Sequence, residues 1–138
     1  MKVLVDTCIW SLALRRNDGQ DEPAVRELRE LVKEFRVQMT GPIRQELLSG
    51  IKAGDRYTQL RDHLRAFADL PVTTADYELA AEFFNLSRGK GIQGSNTDFL
   101  LCALAVRNDL PIFTTDNDFK RYQQQLPLKL HAVRADLL

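Results

Sequence analysis

Cysteine is scarce in this chain: Cys8 and Cys102 are its only two thiols, and they do not form a CxxC pair. A disulfide scaffold and a thiolate metal knuckle are thereby excluded, and reduced, buried thiols are expected. Histidine is equally scarce. His63 falls among polar residues and His131 in the last apolar run, so neither has partners at zinc-ligand spacing. Long hydrophobic runs are lacking too. The longest, Phe99 to Val106, is far short of a membrane span. The opening residues carry one lysine and a three-residue apolar run, unlike a secretory signal, so a cytoplasmic protein with no membrane association is expected. Charge of one sign is also missing, because 19 basic residues balance 19 acidic ones. A passive nucleic-acid coat carries a visible basic excess. The balance argues against that class but leaves room for an enzyme whose acidic site offsets basic patches. Arg15-Arg16, Arg88 with Lys90, and Lys120-Arg121 are candidate patches, each read more simply as a solvated face.

What is present suits one soluble domain spanning 1–138, with 44% hydrophobic and 28% charged residues. Val3-Leu4-Val5 is too short for a helix and right for a strand buried on both faces. Helical spacing follows from Thr7 to about Arg16, stopped by Asn17-Asp18-Gly19. A second helix is expected from Pro23 to Arg36, burying Val25, Leu28, Leu31, Val32 and Phe35. Val37 to Thr40 reads as a strand, and Gly41-Pro42 opens a helix that ends near Gly50. Asp55 to Leu70 is amphipathic, Pro71-Val72-Thr73 is a connector or short strand, and Thr74 caps a helix to about Arg88 with Leu79, Phe83 and Leu86 inward.

Gly89 to Asn96 is a glycine-rich loop that matches neither a P-loop nor GxGxxG. It leads into Thr97-Asp98 and a leucine- and alanine-rich run, which argues for a central buried helix. Ile112 to Thr115 is a buried strand, a short helix carries Phe119 and Tyr122, and Leu128 to Val133 supplies the last strand. Strands alternating with helices imply an α/β fold, its mainly parallel sheet covered on both faces.

Four carboxylates stand where such a sheet opens. Asp6 follows the first strand, Asp116 follows the strand at Ile112, Asp98 lies in the first turn of the buried helix, and Glu46 borders the apolar stripe of its own helix. Each has a plain explanation taken alone: Asp6 or Thr7 caps a helix, Asp98 complements a helix dipole, and Glu46 is a surface glutamate. In a parallel sheet they can converge. Close like charges at low dielectric bind either protons or a cation, and oxygen-only ligands favour magnesium or manganese over zinc.

The residues that decide between these readings are Val5-Asp6-Thr7 with Trp10, Glu46, Asn96-Thr97-Asp98-Phe99-Leu100-Leu101, and Leu110 through Phe119 with its Thr-x-Asp-x-Asp-Phe pattern. In these segments, and in their order, the chain resembles a PIN-domain ribonuclease, most closely a VapC-type toxin of a toxin–antitoxin pair. The resemblance implies a three-layer α/β/α domain around a parallel five-stranded sheet. It implies Mg2+- or Mn2+-dependent cleavage of structured RNA such as tRNA or rRNA. Asp6, Glu46, Asp98 and Asp116 would form the metal site, Asp118 would be an auxiliary carboxylate, and Thr7 with Thr114 or Thr115 would orient ligand oxygens. A homodimer and an inhibitory antitoxin partner are implied as well. Phe99 departs from the smaller or aliphatic residue common after that aspartate, which bears on the shape of the site. Two other classes remain. A haloacid-dehalogenase-type phosphatase needs a second aspartate where Cys8 stands. A non-catalytic PIN-like scaffold has no use for all four acidic positions.

Overall fold

The computed structural model of the chain describes residues 1–15, 22–52 and 54–138. Its elements are β1 (Val3–Val5), α1 (Thr7–Leu14), α2 (Pro23–Lys33), β2 (Val37–Thr40), α3 (Gly41–Leu48), α4 (Asp55–Leu64), β3 (Asp69–Leu70), α5 (Thr74–Gly89), α6 (Asn96–Arg107), β4 (Ile112–Phe113) and α7 (Asp118–Gln123), closed by a 3-10 turn at Ala135–Leu137. The expected stop of the first helix at Arg16 and Asn17-Asp18-Gly19 lies outside the described residues.

The strands pair in the order β3-β2-β1-β4, all parallel. The expected α/β architecture is therefore present, with one difference at its edge. A fifth strand was expected at Leu128 to Val133, and among the described residues it is reduced to a parallel bridge between Ile112 and Leu130. Ile112 N–H donates to Lys129 and His131 N–H to Ile112, and beyond them the chain turns to α2, where the backbone N–H and guanidinium of Arg134 go to the Glu27 carboxylate.

β1 is the hub, with Val3, Leu4 and Val5 all 0% exposed. α6 supplies the largest helical share of the core, burying Phe99 and the run Leu101 to Ala105. It packs along α5, while α1 packs against α2 and α3. α5 starts one residue earlier than the sequence suggested. Thr73 is its cap, and Asp76 Oδ2 accepts both the backbone N–H and the hydroxyl of Thr73 at 2.8 and 3.0 Å. Asp76 Oδ1 takes Arg107 Nε at 2.7 Å, which ties α5 to α6.

Three expected core positions turn outward. α2 ends at Lys33, and Phe35 adopts a left-handed φ of 57° that lets Arg36 N–H close back on Leu31. Phe35 is consequently 88% exposed and Val32 39%, while Glu27 takes a fully buried place in the same helix. On α5, Leu86 is 46% exposed and Ser87 is buried in its stead, because Asp76, Ala80, Phe83 and Ser87 form the inward stripe.

Candidate functional site

Parallel pairing brings the ends of β1 and β4 side by side, since Asp6 N–H donates to the carbonyl of Phe113 at 2.9 Å. Asp6 and Thr114 thus leave the sheet together. Asp6 is buried at 8% exposure, and both of its oxygens are engaged. Oδ1 accepts the Thr7 N–H at 2.8 Å, which is the cap of α1, and Oδ2 accepts the Thr114 hydroxyl at 2.8 Å. The same Thr114 oxygen accepts the Asp116 N–H at 3.0 Å, so one hydroxyl links two of the four carboxylates.

Asp116 is exposed at the rim, and its Oδ1 accepts the Asp118 N–H at 2.9 Å. Asp118 instead pairs with Arg121 at 2.9 Å, one turn along α7. Asp98 is fixed from two sides: Ser95 Oγ accepts its N–H at 3.0 Å, and its Oδ2 accepts the Tyr122 hydroxyl at 2.7 Å. Glu46 is an exposed residue of α3 whose carboxylate nonetheless feels Asp6 and Asp98.

The electrostatics show that these groups share one region. The Asp98 carboxyl is held above its ordinary pKa by burial and by the charges of Asp6 and Asp116, against the opposing hydrogen bonds from Tyr122 and Ser95. Glu46 is raised by the protein crowding it and by Asp6 and Asp98. Thr7 partly offsets this. Its hydroxyl lies near enough to Glu46 to favour the ionised form, yet it closes no hydrogen bond of good geometry and remains buried without a partner. Tyr122 stays protonated, its pKa pushed up by burial and then by its bond to Asp98.

Of the two cysteines, Cys102 is buried, its thiol pushed up by burial and by Asp98 and Asp6. Cys8 is half-buried beside the site. Its sulfur lies 3.6 Å from Asp6 Oδ2 and 3.3 Å from Thr114 Oγ1, and the N–H and hydroxyl of Thr115 both reach it at 3.4 Å. Of the two threonines expected to orient ligand oxygens, Thr114 meets Asp6, and Thr115 turns to this thiol.

Among the described residues, no three acidic, histidine or cysteine side chains are arranged to grip a single ion as they stand. That spacing does not suit an all-protein cage. A hard divalent cation that keeps much of its water takes only one or two carboxylates directly. The donor chemistry fits such an ion, since every group is a hard oxygen and Thr7 Oγ1 is an orphaned oxygen between Asp6 and Glu46.

Beside Glu46, a cleft of about 820 Å3 opens between α1, α3 and α4. Leu14, Leu47 and Leu60 give it an apolar floor, and Arg15, Arg56 and His63 give it a polar rim.

Comparison with known proteins places the fold in a family. The PIN domain profile matches residues 3–125. The chain belongs to the PIN domain family. Among solved structures, this PIN domain is similar to FitAcB from Neisseria gonorrhoeae, with a TM-score of 0.76 at 21% identity over 94% of this chain and 96% of that one. It is similar to VapBC2 from Rickettsia felis bound to a DNA fragment from their promoter, with a TM-score of 0.75 at 20% identity over 95% and 98%. VapBC-1 from nontypeable Haemophilus influenzae gives 0.73 at 14% identity over 95% and 97%. At these identities the likeness is one of fold. The chain has no match among curated protein sequences.

Sequence reasoning missed two partners of this PIN domain's site. Tyr122 was assigned only to a short helix, although a tyrosine hydroxyl carried into a core usually finds a partner there. Ser95 was read as part of a loop, although a serine three residues before Asp98, at the start of an apolar helix, is a capping signal.

Proposed function

We propose that the chain is a divalent-cation-dependent endoribonuclease, the VapC-type toxin of a toxin–antitoxin pair, acting as a cytoplasmic homodimer on structured RNA. The observation that carries this reading is the gathering of Asp6, Glu46, Asp98 and Asp116 at one mouth of the parallel sheet, where Glu46 and Asp98 are held above their ordinary pKa first by burial and then by the neighbouring carboxylate charges. Such a cluster is costly for folding and is relieved by a cation. Among the described residues no helix is long and apolar enough to cross a membrane. PIN-domain membership supports a nuclease, and the shared fold of the FitAB and VapBC structures supports a protein partner.

In this reading Asp6, Glu46, Asp98 and Asp116 would hold Mg2+ or Mn2+. When bound, the ion supplies polarisation of an attacking water and neutralisation of charge on the leaving oxygen. The protein's own part is orientation. Thr114 fixes the Asp6 carboxylate and the Asp116 backbone in one register, and the Thr7 N–H fixes the second Asp6 oxygen. The cleft between α1, α3 and α4 reaches Glu46 and combines apolar with polar side chains. It suits an antitoxin segment that covers the site and presents a basic side chain to the acidic cluster.

The test uses structured RNA and a small phosphate ester, each with magnesium, with manganese and with chelator. RNA cleavage that needs metal, with no ester hydrolysis, is expected, and Asp116→Asn should abolish it. Hydrolysis of the ester alone would indicate a phosphatase, and activity on neither substrate a scaffold. Expression should arrest growth of the host, and coexpression of a neighbouring small open reading frame should relieve the arrest.

The closeness of Cys8 to Asp6 invites a covalent alternative. Its sulfur is already engaged by Thr115 and Thr114, and no histidine base is among its partners. Cys8→Ser is therefore expected to retain RNA cleavage within a few-fold. Loss of cleavage with an unchanged fold would move the chemistry to the thiol.

A further inference from the structure

Tyr122 brings to the acidic cluster a hydroxyl that the cleavage chemistry leaves unassigned. Its ring is 0% exposed and lies between two others, Phe99 with centroids 4.9 Å apart and Phe119 at 5.2 Å. The side chain therefore has a single place to stand. From it the hydroxyl donates to Asp98 Oδ2 at 2.7 Å.

A second observation lies at the same hydroxyl. The glycine-rich loop passes over this ring at Gly94, where an added Cβ would lie 2.8 Å from Tyr122 Cζ, 2.9 Å from Phe99 Cε2 and closer still to the Tyr122 hydroxyl. Gly94 is not among the left-handed glycines Gly50, Gly54 and Gly91, so what requires glycine here is space. The next residue, Ser95, caps α6 by accepting the Asp98 N–H. Backbone and side chain of Asp98 are thus held by one loop and the aromatic stack beneath it.

We propose that Tyr122, held in place by Gly94, is a positioning residue that fixes the Asp98 carboxylate, committing Oδ2 to the hydroxyl and leaving Oδ1 for a divalent cation. The inference rests on the metal-dependent reading of the site. Groups that orient ligating carboxylates typically change metal affinity by about 10- to 100-fold when removed. Asp98 needs such support more than Asp6 does, because Asp6 already has Thr7 and Thr114 on its two oxygens.

The test is manganese binding by titration calorimetry, together with thermal unfolding in chelator and in excess manganese. Tyr122→Phe keeps the aromatic stack and removes only the hydroxyl. Manganese affinity is expected to fall about tenfold, and the metal-induced rise in unfolding temperature to shrink. Gly94→Ala keeps the hydroxyl but drives it off Asp98, so the same loss of affinity is expected. If Gly94→Ala does not fold, Tyr122→Phe decides alone. A purely structural hydroxyl would lower both unfolding curves equally and leave manganese affinity unchanged, which would overturn the proposal. A parent that binds no manganese and cleaves no RNA would overturn the nuclease reading and this inference with it. A parent that binds manganese, alongside a Tyr122→Phe variant that binds it equally well, would overturn only the positioning role.

Discussion

Asp98→Asn is expected to abolish magnesium-dependent RNA cleavage and yet leave the metal-free fold at least as stable as the parent. Two opposing effects decide the second half of that expectation. A carboxylate in the first turn of α6 gains about 0.3–1 kcal/mol from the helix dipole. Burial and the charges of Asp6 and Asp116 work against it, and they win, because the Asp98 pKa is raised rather than lowered. Asparagine keeps an acceptor for Tyr122 and removes the charge. Metal reverses the ranking. An ion that binds only the folded state stabilises by about 2.7 kcal/mol when free at a hundred times its dissociation constant. The parent should show that gain and the variant little of it.

Acid should mimic the metal. Asp98 and Glu46 have folded pKa values above their ordinary 3.8 and 4.5, so each ionised carboxylate costs stability above its folded pKa. That cost is relieved as pH falls from neutrality towards those ordinary values. Thermal unfolding of parent and Asp98→Asn in chelator, from pH 7 down towards the ordinary 3.8, should show the parent gaining stability relative to the variant. Equal curves with equal metal shifts would remove Asp98 from the shared site.

The parts legible from the sequence are those in which a local pattern and a global constraint coincide. Val3-Leu4-Val5 has to be apolar on both faces because a central parallel strand is covered twice, so Asp6 directly after it announces the mouth of the sheet. Ile112-Phe113 repeats the pattern, and parallel pairing then places Thr114 and Asp116 beside Asp6. Elsewhere, function depends on partners that no spacing reveals. Tyr122 meets Asp98 from 24 residues away, and the pairing could be suspected only from the hydroxyl it carries into the core. α2 shows the limit more sharply. Periodicity put Val32 and Phe35 inside, but the left-handed turn at Phe35 swings its ring into solvent. Glu27 on the same helix is fully buried because its partner arrives from the far end of the chain, 107 residues later. A glutamate among leucines reads as surface until that partner is known.

That distant pair carries the largest expected effect on stability, and the effect is asymmetric. Glu27 is 0% exposed. Its Oε1 accepts the Arg134 backbone N–H and Nε, each at 2.9 Å, and its Oε2 takes the other arm of the guanidinium at 2.8 Å and His131 at 3.3 Å. Burial alone pushes the Glu27 pKa up. The hydrogen bonds from Arg134 and His131 and the guanidinium charge outweigh it and hold the carboxyl at about 2. A carboxylate depressed below its ordinary 4.5 contributes stability that is fully present above that value and lost as pH falls through about 2.

Arg134→Met removes the guanidinium and leaves the buried Glu27 charge only the backbone N–H of residue 134 and His131, and breaking such a pair from one side costs about 3–5 kcal/mol. Glu27→Gln should cost less, about 1–3 kcal/mol, because the Arg134 side chain is 31% exposed and retains Glu34 at 2.9 Å as a partner. The pH response should invert as well. Without Arg134 the stranded Glu27 carboxyl rises above its ordinary value, so Arg134→Met recovers stability on acidification from pH 7 towards 5, and Glu27→Gln does not. Urea unfolding of the two variants at those two pH values measures both effects. Equal losses at pH 7, or an Arg134→Met midpoint that falls on acidification, would show that the Glu27 carboxylate is not stranded when its guanidinium is removed.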